Sequence, residues 1–258
     1  MALAGQIQNI SFPQDHWWHN TPIEWIYFWG LINRDKFFHF AEFLVKLGGL
    51  RINSRHWSLD NNYYEEVDTW DGERVSNSGY AIERFTLGCP QFGLTFKKWN
   101  KPIVHDVELD TKYYSITHML GDGHIYPDKK VEAEAWFDHQ WGEGRDLKSW
   151  EWVGLKLNCG LSAVCGSGIL GQHRFCDVSI GDVVIRSNFI LEAKHFFISS
   201  LGMYLTLEPV CEEKIFDPKV GIKYSEQPFK VISKGSVIGY GMRERTYYKE
   251  EIIIATTK

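Results

Sequence analysis

This chain of 258 residues has no long run of apolar residues and no long run of basic residues, and each absence excludes a class of protein. No apolar stretch approaches the roughly 18 residues that a membrane-spanning helix requires, so no membrane span is expected. No run of lysine or arginine exceeds two residues and the formal net charge is −5, so a nucleic-acid-binding surface is not expected either. Aromatic residues, at 15%, are too abundant for a chain that stays unfolded.

Cysteine is scarce and forms no recognisable pattern. The count is odd, and no two cysteines have the C-x-x-C spacing, so we expect neither a disulfide framework nor a zinc ribbon. Reduced thiols are typical of the cytoplasm, and the first residues lack the basic and apolar regions of a signal peptide. We therefore expect a cytoplasmic protein whose five thiols are free: Cys89, Cys159, Cys165, Cys176 and Cys211.

Short segments rich in β-branched and aromatic residues dominate the chain, and glycine, asparagine and aspartate turns separate them. No segment keeps a helical period over more than about ten residues, so the only helical turns that we expect are short ones near residues 10–19 or 60–66. The spacing predicts an all-β fold of antiparallel strands. The predicted strands are Ile23–Ile32, Phe37–Lys46, Tyr80–Thr86, Gly93–Lys98, Tyr113–Leu120, Val131–Asp138, Trp150–Leu157, Ser162–Gly168, Val183–Asn188, Tyr204–Leu207 and Thr246–Ile254.

Two segments of the chain resemble each other. Glu24–Leu31 and Glu151–Leu157 both open with an acidic residue and a tryptophan, and each leads through a polar turn into a second strand. The second segment starts 127 residues after the first (24 to 151), about half the chain, as a duplicated β-unit would. Chance similarity is the alternative. A duplication predicts two domains, residues 1–125 and 126–258.

The first aromatic strand is apolar on both of its alternating faces. Trp25, Tyr27 and Trp29 share one face, and Ile26 and Phe28 share the other. A strand that is covered on both faces requires this pattern. A filled barrel with a second layer on its outer surface would cover both faces, although a large aromatic core that binds no ligand explains the pattern as well.

A row of acidic residues follows one face of a later strand. A period of two puts Glu132, Glu134, Trp136 and Asp138 on that face, and the apolar residues 131, 133, 135 and 137 on the other. If the acidic face is enclosed, burial would raise the pKa of Asp138 and let it donate a proton near neutral pH. The alternative is a solvated strand in which Asp138 caps a turn.

Several of these segments resemble the AttH/CrtC-like family of lipocalin-like proteins. Residues 12–16 and Ile23–Gly30 are similar to the opening of that family, and Trp136–Gly142 resembles its aromatic-x-Asp-x-x-Trp-Gly motif. Trp150–Leu157 follows at about the expected distance, and Gly239–Tyr247 is similar to the carboxy-terminal motif of the family. The resemblance extends over nearly the whole chain.

The resemblance implies two tandem lipocalin-like antiparallel β-barrels, a calycin-like architecture, and chemistry without a cofactor on an apolar, polyene-like substrate. Members include carotenoid 1,2-hydratases, hydratases of prenylated phenolics and Diels–Alder cyclases. In the hydratase branch the aspartate of the motif is implicated in protonating a double bond, and that residue is Asp138 here. The pair of His and Trp that this branch has on the preceding strand is not in place in residues 113–118, which contain no tryptophan, so the resemblance does not extend to hydration of a carotenoid.

We therefore expect a cofactor-independent enzyme that cyclises, isomerises or hydrates an apolar polyketide or isoprenoid intermediate, with Asp138 as acid or hydrogen-bond donor and Tyr114 and His118 as its catalytic partners. A monomer or homodimer with no metal is expected. A lipocalin-like carrier without turnover is the first alternative, and a scaffold whose aromatic residues fill both barrels is the second. A structural role of the motif, in which Asp138 and Trp141 lock the junction between the barrels, is a further alternative. The expected substrate-binding residues are Glu24, Trp25, Tyr27, Trp29, Trp136, His139, Trp141, Glu151 and Trp152.

Overall fold

The computed structural model describes residues 19, 21–47, 50–60, 62–71, 80–81, 85–105, 111–143, 149–168, 174–216 and 222–248. These residues form β-strands, with one short 3-10 turn at Ser199–Leu201. Among them, no helix is long and apolar enough to cross a lipid bilayer. Residues 12–16 of the family resemblance, and most of the helical turn expected at 10–19, lie outside the described residues.

The first ten strands form one antiparallel sheet. Its order is β4-β3-β2-β1-β10-β9-β7-β6-β5, and β8 pairs with β9 beside this path. The strands are β1 (Ile23–Ile32), β2 (Lys36–Leu47), β3 (Leu50–Leu59), β4 (Asn62–Asp71), β5 (Tyr80–Ala81), β6 (Thr86–Gly88), β7 (Phe92–Trp99), β8 (Ile103–His105), β9 (Thr111–Ile125) and β10 (Lys129–Gly142).

The next ten strands form a second antiparallel sheet with the same internal order. That order is β14-β13-β12-β11-β20-β19-β17-β16-β15, and β18 pairs with β19. The strands are β11 (Trp150–Leu157), β12 (Leu161–Gly168), β13 (Arg174–Ile180), β14 (Val183–Arg186), β15 (Phe189–Glu192), β16 (His195–Ile198), β17 (Met203–Pro209), β18 (Lys214–Phe216), β19 (Ile222–Ser233) and β20 (Ser236–Tyr248).

Both sheets curl into half-barrels, which confirms the all-β class and the tandem lipocalin-like barrels. Each strand of the second sheet occupies the place of the strand ten positions earlier in the first. The two similar segments lie in equivalent strands, because Glu24 is near the start of β1 and Glu151 is near the start of β11. This equivalence supports a duplicated β-unit over chance similarity.

The division between the two units differs from the expected one at 125/126. Of the described residues, the first unit contains those up to Glu143 and the second contains those from Ser149. The reason is the pairing of β10, which bonds to β9 on one side and to β1 on the other. The turn at residues 126–128 is therefore a hairpin inside the first unit.

The concave side of the first sheet is filled by phenylalanine rings. Phe38 of β2 contacts Phe92 of β7 at 5.7 Å between ring centroids, and Phe28 of β1 stacks on Phe96 of β7 at 5.8 Å. These strands are not neighbours in the sheet, so the curl of the sheet brings the rings together. The second unit has its own apolar core, which includes Leu155.

Burial of β1 agrees with its apolar pattern, since nearly every residue of the strand is inaccessible to solvent on both faces. The acidic strand, β10, also shows the predicted alternation of its two faces. Val131, Ala133, Ala135 and Phe137 belong to the core on the concave side. On the other face, exposure decreases along β10 until the strand is fully buried around Asp138.

Two expectations fail in the described residues. Residues 60–66 form no helical turn, because β4 begins at Asn62 and pairs with β3 along its whole length. The five thiols are not all free, because Cys165 and Cys176 stand directly opposite each other on β12 and β13 and form a disulfide. Their pairing comes from the register of two strands, which neither the number of cysteines nor their spacing in the sequence reveals.

A glycine lets β1 and β10 approach each other, and its replacement should weaken the first unit. A Cβ atom on Gly30 would lie 2.0 Å from the carbonyl oxygen of Glu134. We expect Gly30→Ala to lower the free energy of unfolding by about 1–3 kcal/mol, because backbone must move. Gly93→Ala is the matched control, since its Cβ would meet only the hydroxyl end of the exposed Tyr126. Urea unfolding measures both, and equal effects would contradict the prediction.

Candidate active site

Asp138 lies in the middle of the sheet, on the strand β10 that joins β1 to β9. In the ladder it stands opposite Tyr27 of β1 and Ser115 of β9. Its side chain is on the face opposite to the phenylalanine core, and only 3% of the residue is exposed to solvent. The structure therefore rules out the solvated strand and gives Asp138 an enclosed environment.

Two hydroxyl groups hold the Asp138 carboxyl group from the neighbouring strand. The Tyr113 hydroxyl donates a hydrogen bond to Oδ1 of Asp138 at 3.1 Å, and the Ser115 hydroxyl donates to the same oxygen. The Ser115 oxygen also bonds to Nε2 of His105 at 2.8 Å. Because Ser115 donates its proton to Asp138, the imidazole of His105 is the donor in that bond. A chain of polar groups thus runs from His105 to the carboxyl group.

Burial dominates the acidity of Asp138. Removal from water raises the pKa of this carboxyl group from 3.8 to about 7, and the contacts with Ser115, Trp136 and Tyr113 oppose that rise only in part. A carboxyl group with this pKa exchanges its proton near neutral pH, as a general acid requires.

Aromatic rings surround Asp138 on its side of the sheet. We call this surface the Asp138 face and define it by Trp25, Tyr27, Trp29, Trp136 and Asp138. Trp29 and Trp136 stack with their ring centroids 5.4 Å apart. All four aromatic residues are buried, and the buried indole N–H of Trp29 has no hydrogen-bond acceptor among the described residues. The face combines large apolar rings with one proton donor.

Four of the expected site residues lie together on the other face of the sheet. His139 and Trp141 alternate with Asp138 along β10, Tyr114 stands opposite His139 on β9, and Glu24 stands opposite Trp141 on β1. Nε2 of His139 donates to Oε1 of Glu24 at 2.9 Å, and the Tyr114 hydroxyl lies 3.5 Å from Nδ1 of His139. Tyr114 therefore belongs to a different polar group from Asp138.

His19 completes this second group, which we call the His19–Glu24–His139 cluster. Its Nδ1 lies 2.9 Å from Oε1 of Glu24, and its backbone N–H donates to Oε2 at 2.8 Å. Burial would raise the pKa of Glu24, but the hydrogen bonds from His139 and His19 outweigh it and lower that pKa. Glu24 is therefore an ionised carboxylate in a buried position.

The remaining expected site residues lie elsewhere. His118 is half-exposed, and its Nδ1 is 3.3 Å from Oε1 of Glu134, near the exposed end of the acidic row. Glu151 lies in the second unit, where it forms ion pairs with Arg243 and Arg245. Trp152, also in the second unit, is buried. The structure thus gathers neither Tyr114 nor His118 around Asp138.

Sequence reasoning missed Tyr113 and Ser115 because of one irregularity in the ladder. The register of β9 against β10 shifts between Ala135 and Phe137, where β9 has an extra residue. An unbroken register from the hairpin would have put Tyr114 on the Asp138 face. The shift moves every residue beyond it by one position, so that Tyr113 and Ser115 face Asp138 instead.

Comparison with solved structures identifies the fold. The chain aligns with a candidate AttH protein from Nitrosomonas europaea at a TM-score of 0.71 and 15% identity, over 96% of this chain and 99% of that one. The chain has the AttH-like lipocalin-like fold. The family resemblance of the sequence agrees with it.

Two further structures share this AttH-like fold. Kievitone hydratase from Nectria haematococca aligns at a TM-score of 0.63 and 13% identity, over 88% of this chain and 89% of that one. CghA with Sch210972 aligns at 0.50 and 9% identity, over 89% of each chain. No protein-family model and no curated protein matches the sequence. At these identities the likeness establishes the fold and not the reaction.

The raised pKa of Asp138 predicts a pH-dependent stability. In the unfolded chain an aspartate has a pKa near 3.9, so between about pH 4 and pH 7 the native state binds more protons than the unfolded state. Stability should therefore fall as the pH rises through this range, by at most about 4 kcal/mol from this group. Asp138→Asn removes the contribution, and urea unfolding at several pH values measures it. Parallel profiles for the two proteins would contradict the raised pKa.

Proposed function

We propose that this protein is a cofactor-independent enzyme that acts on an apolar, polyene-like polyketide or isoprenoid intermediate. One observation carries the proposal: a buried carboxyl group with a pKa of about 7 stands among four large aromatic side chains. In the proposed role, Asp138 donates a proton or a hydrogen bond to the substrate. The aromatic rings of the Asp138 face bind its apolar body.

Proton transfer from Asp138 to a carbon–carbon double bond would leave a carbocation and an aspartate anion. The hydroxyls of Tyr113 and Ser115 already donate to Oδ1, so they would stabilise the anion. The electron-rich faces of Trp29 and Trp136 would stabilise the cation. Water could then attack the cation and release a proton to Asp138, which gives hydration. Loss of a neighbouring C–H proton to Asp138 instead gives isomerisation.

Cyclisation would use the same group without moving a proton. A neutral Asp138 can donate a hydrogen bond to a carbonyl oxygen of the substrate and make the conjugated double bond more electrophilic. The aromatic face would hold the reacting ends close together, which is the larger contribution to a pericyclic reaction. All three reactions depend on Asp138 being protonated, so each should slow as the pH rises above about 7.

The structural neighbours are consistent with this proposal. Kievitone hydratase is by name a hydratase, and CghA was solved with a small molecule. The proposal takes only the general class of reaction from these neighbours, and it takes neither of their substrates. A small apolar substrate, the absence of a cofactor in the proposed reaction and a monomeric or homodimeric state remain part of the proposal.

Turnover in D2O distinguishes the three reactions. We would incubate the protein with geranylgeraniol, retinoic acid and a prenylated phenol as probes, and analyse the products by mass spectrometry. Hydration adds D2O to the probe, isomerisation through a cation replaces one hydrogen with deuterium and adds no oxygen, and cyclisation changes retention without changing mass. We expect Asp138→Asn to reduce any of these rates by about 100-fold or more, as the loss of a general acid does.

Glu134→Gln is the matched control, because Glu134 lies on the same face of the same strand but is much more exposed. It should keep the wild-type rate. Quenching of tryptophan fluorescence measures binding of the probes independently of turnover. Binding without turnover of any probe, unchanged in Asp138→Asn, would favour a carrier, and equal rates for Asp138→Asn and wild type would contradict the proposed mechanism.

A further inference from the structure

The His19–Glu24–His139 cluster has a composition and geometry that the proposed reaction at Asp138 does not use. It lies where β1 begins and β10 ends, on the concave side of the sheet. Asp138 is on the opposite face of β10, because Asp138 and His139 are consecutive residues of one strand. Any role of the cluster is therefore separate from that of Asp138.

We propose that this cluster is a binding site for a divalent transition-metal ion of the zinc class, with Nδ1 of His19, Oε1 of Glu24 and Nε2 of His139 as ligands. Two imidazole nitrogens and one carboxylate oxygen are a donor set that zinc binds readily. The sequence predicted no metal site, because Glu24 and His139 are 115 residues apart in it.

The three donor atoms already converge. Nδ1 of His19 and Nε2 of His139 are each 2.9 Å from Oε1 of Glu24, and all three atoms lie within 4.8 Å of one another. Ligands at about 2.0–2.2 Å from one tetrahedral ion are roughly 3.3 Å apart. Only small side-chain movements are needed to replace the two hydrogen bonds with bonds to one ion.

The contacts behind the donor atoms also fit a metal site. The Glu24 carboxylate uses Oε2 to accept the backbone N–H of His19, which leaves Oε1 directed at the two rings. The Tyr114 hydroxyl faces Nδ1 of His139, the nitrogen remote from the proposed ion. The His19 ring stacks on Trp141, with centroids 4.1 Å apart and planes at 3°. Such outer contacts orient metal-binding histidines and carboxylates.

Access to the cluster is possible from one side. The side chain of His19 is 20% exposed, whereas those of Glu24 and His139 are buried. Three protein ligands leave one position of a tetrahedral ion for water or another small molecule. An ion could therefore enter past His19 without the core opening.

The second unit has an acid–base contact at the same position that cannot bind a metal. Glu151 occupies the place of Glu24, and the guanidinium groups of Arg243 and Arg245 donate to its Oε1. In both ladders one bonded base, His139 or Arg243, is opposite the residue two positions after the glutamate, and Arg245 stands opposite Glu151 itself. At this position the second unit has an arginine ion pair, whereas the first unit has imidazoles, which can act as metal ligands.

For the test, the purified chain is first freed of metal by dialysis against a chelator. It is then titrated with Zn²⁺ and, separately, with Co²⁺. We expect one ion per chain, and for Co²⁺ the visible absorption that tetrahedral coordination produces. His19→Ala should weaken Zn²⁺ binding by about 100-fold or more. It is the primary variant because the side chain of His19 is the most exposed of the three ligands. Glu24→Gln should have the same effect.

Glu134→Gln is the control, because it disrupts a half-exposed His–Glu pair that has no third ligand among the described residues. It should bind Zn²⁺ as the wild type does, and circular dichroism should show that every variant is folded without metal. Failure of the wild-type protein to bind one ion per chain would overturn the proposal. Unchanged affinity in His19→Ala would overturn it as well.

Discussion

The ladder between β1 and β10 is the constraint on which the rest of the first unit depends. It runs without a break from Ile23 opposite Gly142 to Ile32 opposite Ala133, and it joins two hairpins that are far apart in the sequence. Because side chains alternate along both strands, this register sends Asp138, Trp29 and Trp136 to one face. It sends His139, Trp141 and the phenylalanines to the other. A slip of one residue would exchange these two environments.

A comparison of the two units distinguishes features that the fold requires from features of a functional site. In both units a glutamate near the start of the first strand bonds to a base on the last strand. The position of Asp138, by contrast, corresponds to the buried Met242 in the second unit, where the ladder pairs it with Gly154. A carboxyl group is therefore not required by the fold at that point. Its presence in the first unit is consistent with the general acid role proposed for Asp138.

Local patterns predicted some elements closely and failed for others. The apolar strands β1 and β11, each of which has an acidic residue and a tryptophan near its start, were predicted with the bounds that the structure gives them. β4 was missed, because its two neighbouring acidic residues and its preceding turn look like the start of a helix. Alternation along β10 predicted which residues face the core. Period and composition thus suffice for strands with a clear apolar pattern, such as β1 and β11, and not for polar strands such as β4.

The partners of the site residues could not be predicted in this way. Tyr113 and Ser115 reach Asp138 only because of the extra residue in β9, and no local signal marks that residue. His19 and His139 meet at Glu24 although His139 is 115 residues from Glu24 in the sequence. Such contacts depend on long-range register, which is a property of the whole sheet. Single residues of both sites were visible in the sequence, but their grouping was not.

Direct titration of the Asp138 carboxyl group tests the central claim most simply. Infrared difference spectra of wild type and Asp138→Asn, recorded across the pH range 4 to 9, isolate the carbonyl band of the protonated acid. The account predicts that this band persists at pH 6 and disappears with a midpoint at about pH 7. A midpoint near 4, the ordinary value for aspartate, would contradict it, because Asp138 would then be an anion and could not act as the proton donor.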